Sequence, residues 1–360
     1  MFPSNQGCDY RHHQKSLANK RECLSSRGAL WIGIFLSCFF TFIIWVAHPW
    51  IPNVDFLPDL GASWYYWKLP EQTTMGRITA WGGYALHQLA SWGTIYFAQK
   101  QDLSDTDALH KVNVFALASN ICFVVLHFFQ TAFWYDGLAQ DVSIWSSLSS
   151  VALVLIGILL MENPRRGLFF GRKIGSENNI IQDATRTLRK YHGYMFSWAI
   201  IYTFWYHPME NTGGHLCGFL YSFLFLLQGS LFFTRVHHNR YWTFLLEMFV
   251  VAHGTVVSRQ TNNLWPMFFF GFAAIFIVTQ MYGLGLGKWF RSGCTVAYTL
   301  AVVAVYNSRG WEKLNEIFRI PMIDYLSVYV FALIIWSASR LIGMFTQESK
   351  RALSVREKRT

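Results

Sequence analysis

The sequence predicts an all-α polytopic membrane helix bundle of about ten transmembrane helices, on three observations. The chain of 360 residues is 53% hydrophobic and only 14% charged, whereas soluble domains carry about 25% charged residues. Its apolar residues fall in Lys- and Arg-free blocks of about 20 residues, the length a hydrocarbon core demands. Alternation at period 2 is absent, which removes the closed barrel, the other structure able to satisfy its backbone in lipid.

The elements follow in order. Residues 1–27 are polar and basic, and they precede an apolar run at 28–48. That run is too long for a signal-peptide core and no small-x-small cleavage site follows, so it reads as an anchor. The segment 49–77 contains Trp64-Tyr65-Tyr66-Trp67 and several prolines. It reads first as an interfacial aromatic belt, and alternatively as a lid across the bundle mouth. Further spans are expected at 78–99, 111–135 and 141–162. The loop 163–190 carries Arg165, Arg166, Arg172 and Lys173, then a helical pattern running to Lys190 that suits a short surface helix against anionic lipid. Six more spans are expected at 191–209, 214–234, 241–258, 264–285, 292–308 and 322–345. Residues 28–345 thus form one transmembrane domain between two basic tails, 1–27 and 346–360.

Charge sets the orientation. Of the 30 Lys and Arg residues, 24 fall in the tails and alternate loops on one side, and 6 on the other. Positive charge is retained in the cytoplasm, so both termini are expected there. The same partition explains the net charge of +10 without nucleic acid, because the basic residues lie at membrane edges. Six cysteines show no C-x-x-C spacing and read as reduced. Gly283, Gly285 and Gly287 suggest a face for close helix packing.

Ionisable residues inside a membrane are expensive and mark candidate sites. They are densest between residues 190 and 260, where His192, His207, Glu210, His215, His237, His238, Glu247 and His253 fall. His192 and His207 are 15 residues apart in the fifth span, as His238 and His253 are in the seventh. That spacing is about 22 Å of rise and about 60° of rotation, so each pair keeps to one broad face.

The paired spacing is similar to that of the b-type diheme membrane cytochromes, in which two helices each supply one ligand per haem. The resemblance covers four residues. It implies that His207 and His253 hold an outer haem b, and His192 with His238 (or His237) an inner one.

A second constellation lies wholly at the outer face. His207-Pro208-Met209-Glu210-Asn211-Thr212-Gly213-Gly214-His215 forms a tight turn, and His253, His127 and His48 reach a similar depth. His207, His215 and His253, with His127, suit a transition metal with an open position. His207, Glu210, His215 and His253 equally suit a general base and its orienting carboxylate. A membrane acyltransferase using the outer-face histidine is the alternative enzyme. Transport along Glu247, Arg235, Gln228 and His87, or a structural subunit role, is the non-enzyme alternative.

The expectation is a membrane enzyme with a histidine-rich site, metal- or haem-dependent and redox-active. Its substrate is lipid-soluble or lipid-linked. An electron or acyl donor must come from outside, because the chain has no nucleotide motif, reductase domain or P-loop.

Overall fold

In a computed structural model, residues 25–47, 55–58, 60, 65–174, 180–261 and 264–357 are described. The expectations placed on His48, Trp64 and residues 1–24 lie outside them. Ten α-helices occur among the described residues, with no strand. They are α1 Ser26–Ala47, α2 Thr74–Lys100, α3 Lys111–Trp134, α4 Ile144–Arg166 and α5 Ile180–Tyr206. The remaining five are α6 Gly213–Ser230, α7 Arg240–Thr261, α8 Trp265–Val278, α9 Lys288–Arg309 and α10 Glu316–Glu357.

Local chemistry explains the boundaries. Thr73, Ser143 and Thr212 cap α2, α4 and α6 by accepting hydrogen bonds from backbone N–H groups that no turn precedes. Asn113 closes the start of α3, its side-chain oxygen accepting from the His110 N–H at 2.8 Å. Pro266 sits at the opening of α8, where its missing N–H costs nothing.

Each helix overlies one of the apolar segments, but several ends differ. The pattern at 180–190 does not form a separate surface helix. It is the first three turns of α5, because nothing between Lys190 and His192 breaks the helix. The helix α10 runs from Glu316 to Glu357, past both ends of the expected span. Conversely α8 stops at Val278 and continues as a 3-10 turn over Gln280–Gly283. Gly283 packs on the Arg166 side chain and Gly285 adopts φ +71°. Gly287 has nothing within 4 Å. These glycines lie in the turn between α8 and α9, and of the three Gly283 meets the end of α4 at Arg165 and Arg166.

Six described helical segments are long and apolar enough to cross a membrane. They are Ser26–Ala47, Lys111–Trp134, Ile144–Arg166, Arg240–Gln260, Trp265–Gly283 and Trp311–Met344. Exposed Trp31, Phe35, Phe42, Trp45, Phe115 and Phe133 stand on their outer faces, a pattern that water would penalise and lipid does not. The molecule is a helical, multi-pass membrane protein.

Helix α5 is central, packing on α2, α4, α6 and α10. Helix α6 packs on α1, α3, α5 and α7, and so stands between the fifth and seventh helices. Around the outer half of α5 lies an aromatic core of Phe204, Trp205, Tyr206, Phe219 and Phe223.

The loops gather at two ends. At one, which holds most of the basic residues, Ser26 N donates to Asp107 O at 2.7 Å and Arg235 N to Thr106 O at 3.0 Å. There too Gln99 donates to Lys190 O, Arg189 to Met161 O and Arg165 to Gly283 O. At the other, Gln72 donates to Gln140 O, Arg77 pairs with Asp141, and Gly214 N donates to the Gln260 side chain. The second is the histidine end.

Candidate functional site at the histidine end

The turn 207–215 owes its position to the two helices it joins. Tyr206, the last residue of α5, is fully buried, which fixes His207 just beyond it. Thr212 caps α6 and places His215 in its first turn, with the His215 backbone N–H donating to Thr212 Oγ1 at 3.3 Å.

These two imidazoles meet edge-on, with ring centroids 5.5 Å apart, and Tyr65 bridges them. Its hydroxyl is 2.6 Å from His207 Nδ1 and 2.7 Å from His215 Nε2. The other ring nitrogen of His215 lies 2.8 Å from Thr212 Oγ1. Tyr65 and Trp67 meet the two histidines edge-on, with Tyr65 and His207 ring centroids 5.0 Å apart and Trp67 and His215 5.2 Å apart. The segment read as an aromatic belt therefore acts, at these two residues, as a cover inserted over the turn.

Burial raises the Tyr65 phenol well above its ordinary range, and the charges on Tyr206, Glu210 and Asp136 add to this. The phenol stays neutral and has one proton to give. It donates to one imidazole and must accept an N–H from the other. Thr212, His215, Tyr65 and His207 thus form a single hydrogen-bonded chain with two polarities. In one, His207 bears its proton on Nδ1 and its Nε2 is a bare base. In the other, Nε2 carries the proton and is an acid. Conversion takes one proton up at His207 Nε2, passes one across each link, and releases the Thr212 hydroxyl proton.

A second tier holds this chain. His127 is buried in α3, its Nε2–H donating to His207 O at 2.9 Å while its Nδ1 faces Gln130 Oε1 at 3.1 Å. Gln130 in turn donates to Asp136 O at 2.5 Å, and Met209 N donates to Thr131 Oγ1 at 3.0 Å. Tyr135 follows α3 with φ +66°, a costly conformation for an aromatic residue. Its hydroxyl is buried without a hydrogen-bond partner, and so are Asp136 Oδ2 and Gln140 Nε2. Glu210 is also buried, and its charge acts on both Tyr65 and Tyr135. Burial pushes the Asp136 carboxyl up to about 7, against the pull of the Gly137 and Leu69 N–H groups and Lys68. Asp141 is the opposite case. Hydrogen bonding from Arg77, with Trp81, holds it below the carboxylate range.

The outer candidates are brought together only in part. His207, Glu210, His215 and His127 belong to one network. His253 reaches the start of α6 from α7, with its Nε2 3.0 Å from the point a Cβ on Gly218 would occupy and a backbone hydrogen bond at Gly214. Among the described residues no three His, Cys, Asp or Glu side chains converge as a metal-ligand set. His207 and His215 are in ring contact, but the ring nitrogens are turned to other partners, His207 and His215 to Tyr65 and Thr212 and His127 to the His207 carbonyl and Gln130.

Of the expected haem pairs, the inner His192 and His237 rings do approach, with centroids 6.3 Å apart, whereas at the outer end α6 stands between the helices that carry His207 and His253. Helix α6 fills the space between α5 and α7, with Tyr221 and Phe225 buried in the core it shares with α7. His192 Nδ1–H donates to Arg189 O at 2.8 Å in its own helix, and His238 pairs with exposed Asp105. His237 Nδ1–H donates to Gln228 O, Gln228 Nε2 returns a bond to His237 O, and Trp242 donates to Gln228 Oε1 at 2.6 Å. These inner residues form a clasp joining α6 to α7. Burial, with the charges of His192 and His238, lowers His237 to about 3, which keeps it neutral there.

The expected permeation path is not assembled. His87 accepts from Trp205 at 3.2 Å and donates to Asn120 at 2.7 Å, a satisfied core contact. Arg235 pairs with Asp107 at the surface, Gln228 is in the clasp, and Glu247 is buried elsewhere.

Sequence reasoning missed Tyr65 as a site residue, and Tyr135, Asp136, Gln130 and Gln140 altogether. One signal was present: a Tyr-Asp-Gly run between two apolar spans, with an ionisable residue at the membrane boundary.

Fold and site together define a helical membrane protein with a buried imidazole–phenol chain at one end of the bundle. The chain matches no known protein family, no curated protein and no solved structure.

Proposed function

We propose that this protein is a membrane enzyme whose histidine end performs general acid–base catalysis on a lipid-soluble or lipid-linked substrate. The observation that carries the reading is Tyr65, placed within hydrogen-bond reach of both His207 and His215. A neutral phenol between two neutral imidazoles moves a proton without creating a buried ion, which low dielectric favours. The orphaned polar atoms of Tyr135, Asp136 and Gln140 supply further groups able to hold a polar headgroup. Group transfer from a lipid-linked donor, acyl transfer included, is the reaction class that uses such a base and then such an acid. His207 takes the proton from the attacking group, and the reversed chain returns one to the leaving group. Glu210 and Asp136 orient the turn. His253 supports it from α7.

The bundle is further proposed to cross the membrane ten times, with the basic end and both termini in the cytoplasm. The gathering of loops at two ends supports it, as does the 24-to-6 division of Lys and Arg between them.

The test uses the purified full-length protein incubated with bilayer lipids, the lipid pool being compared by mass spectrometry before and after. Wild type is expected to convert a lipid species, and Tyr65→Phe and His207→Ala to convert it at least about 100-fold more slowly. No conversion by wild type, or equal conversion by both variants, would overturn the reading. A haem band or stoichiometric metal in the same preparation would restore the redox alternative.

A further inference from the structure

A second polar site lies within the bundle, away from the histidine end. Glu247 of α7 and Arg166 at the end of α4 form an ion pair with Nη1–Oε2 of 2.7 Å, their side chains 2% and 1% exposed. Only one oxygen of Glu247 is used. Its Oε1 is buried without a hydrogen-bond partner. That carboxyl lines a small cavity of about 20 Å³ whose other polar lining groups are Gln280 and Asp324. Gln280 is 8% exposed and its Oε1 is likewise unpartnered. The rest of the lining is apolar, from Leu155 and Ile158 of α4 to Phe272 and Ile275 of α8.

The backbone around this cavity is irregular in a way that lipid alone would not permit. Helix α8 ends at Val278, and the hairpin 167–174 folds back against that end, Phe170 N donating to Val278 O at 2.7 Å. Leu168 is buried in the core there, and its carbonyl accepts from Thr279, whose hydroxyl also meets Tyr325 at 2.7 Å.

The charges do not balance. Arg166 answers Glu247, Glu162 and Arg165 act on Glu247 from the same helix as Arg166, and Arg166 Nε and Nη2 are themselves buried without a partner. From α10, Asp324 and Tyr325 face this region. From α8 and its 3-10 turn come Gln280 and no charge. Helix α5 presents Thr185, its Asp183 pairing with Arg186 and Arg340 at the basic end. Among the described residues no Lys, Arg or His lines the cavity, so the second carboxylate has no cation. Glu247 Oε1 and Gln280 Oε1 are two buried acceptors at this space without a hydrogen-bond partner. Such a pair calls for an occupant that brings hydrogen. The volume accommodates one water and leaves little for a hydrated metal ion.

We propose that Asp324, Glu247 and Gln280 form an intramembrane proton-binding site, with the proton held on Asp324. The Asp324 O–H donates to Glu247 Oε1, directly or through one water that also serves Gln280 Oε1. On release the proton leaves Asp324 as a carboxylate, and the Arg166–Glu247 pair keeps its neighbour ionised. The site is separate from the histidine end, so its fate does not depend on the catalytic reading.

The test is pH-difference infrared spectroscopy of the full-length protein in liposomes, in potassium buffer between about pH 5 and about pH 9, in an Asp136→Asn background that removes the other raised carboxyl. One carboxylic-acid C=O band is expected, shifted by deuterium exchange and lost in Asp324→Asn. Arg166→Gln should add a second band, because Glu247 then loses its cation and takes up a proton. Because Asn replaces a neutral carboxylic acid by a neutral amide of the same size that can still donate to Glu247 Oε1, thermal unfolding should show Asp324→Asn folded. Absence of the band in wild type, its persistence in Asp324→Asn, or no added band in Arg166→Gln would overturn the proposal. Loss of the wild-type band when sodium replaces potassium would also overturn it, assigning the cavity to a metal cation.

Discussion

Tyr65 is the residue on which the chemistry of the histidine end turns, and its removal separates catalysis from stability. Tyr65→Phe deletes one hydroxyl and leaves two imidazoles short of a partner. It should cost about 1–3 kcal/mol in stability, read by thermal unfolding in detergent, while activity falls by about 100-fold or more. Asp136 gives a pH signature. Its carboxyl is raised to about 7 in the folded protein, from an ordinary value of 3.8. Between those values the native state binds more protons than the unfolded one, so stability falls as pH rises through that window and is flat above it. Asp136→Asn should remove that slope. The variant should be up to about 4 kcal/mol more stable than wild type at about pH 8 and close to it at about pH 4. A slope unchanged by the substitution would dismiss Asp136 as its source.

At the scale of elements, the site depends on how closely the turn after α3 approaches the end of α5. An added Cβ at Gly137 would meet Tyr206 O at 2.5 Å and Trp205 O at 2.8 Å. Backbone cannot swing aside as a flexible side chain does, so Gly137→Ala must push the 135–143 loop off α5. About 2–3 kcal/mol of destabilisation is expected, with loss of activity, since Asp136, Gln130 and His127 no longer hold the carbonyl of His207. Gly229→Ala, with nothing within 4 Å of the added atom, is the matched control and should be neutral or slightly stabilising. The inner clasp belongs to this scale too. His237→Ala breaks the joint between α6 and α7 and should lower stability without touching the proton chain, which a normal ratio of activity to folded protein would verify.

At the scale of the molecule, the alternation of ends makes a topological prediction. In a cysteine-free background, probes at Asn211 and Asn315 should react with an impermeant thiol reagent from outside, and probes at Ser176 and Thr360 should not. Ser176 and Thr360 lie outside the described residues, so their assignment rests on charge alone. Labelling of Ser176 from outside would reverse the orientation. The buried Arg166–Glu247 pair is a whole-molecule feature as well, since it ties the second half of the bundle to α4. Glu247→Leu strands the Arg166 charge and should cost about 3–5 kcal/mol, more than any surface pair such as Arg235–Asp107.

The amino-acid sequence alone determined the helical membrane class and the approximate place of each helix, because unbroken apolar runs of membrane length admit one solution in lipid. It also singled out the turn His207–His215, because ionisable residues at that depth are rare. It did not determine which side chains meet there. Equal spacing of His192 with His207 and of His238 with His253 fixed positions along two helices, and said nothing of a third helix between them. At the outer end helix α6 occupies that space, with His253 against Gly218 and Tyr65 taking His207 and His215. At the inner end the His192 and His237 rings meet. The same limit applies to Asp136 and Tyr65, which are distant in sequence and meet the turn only when the loop over α5 closes. Helix formation is read from local periodicity and transfer energy. Which groups converge on one point is decided by packing between segments far apart in the chain, and only the tertiary structure contains it.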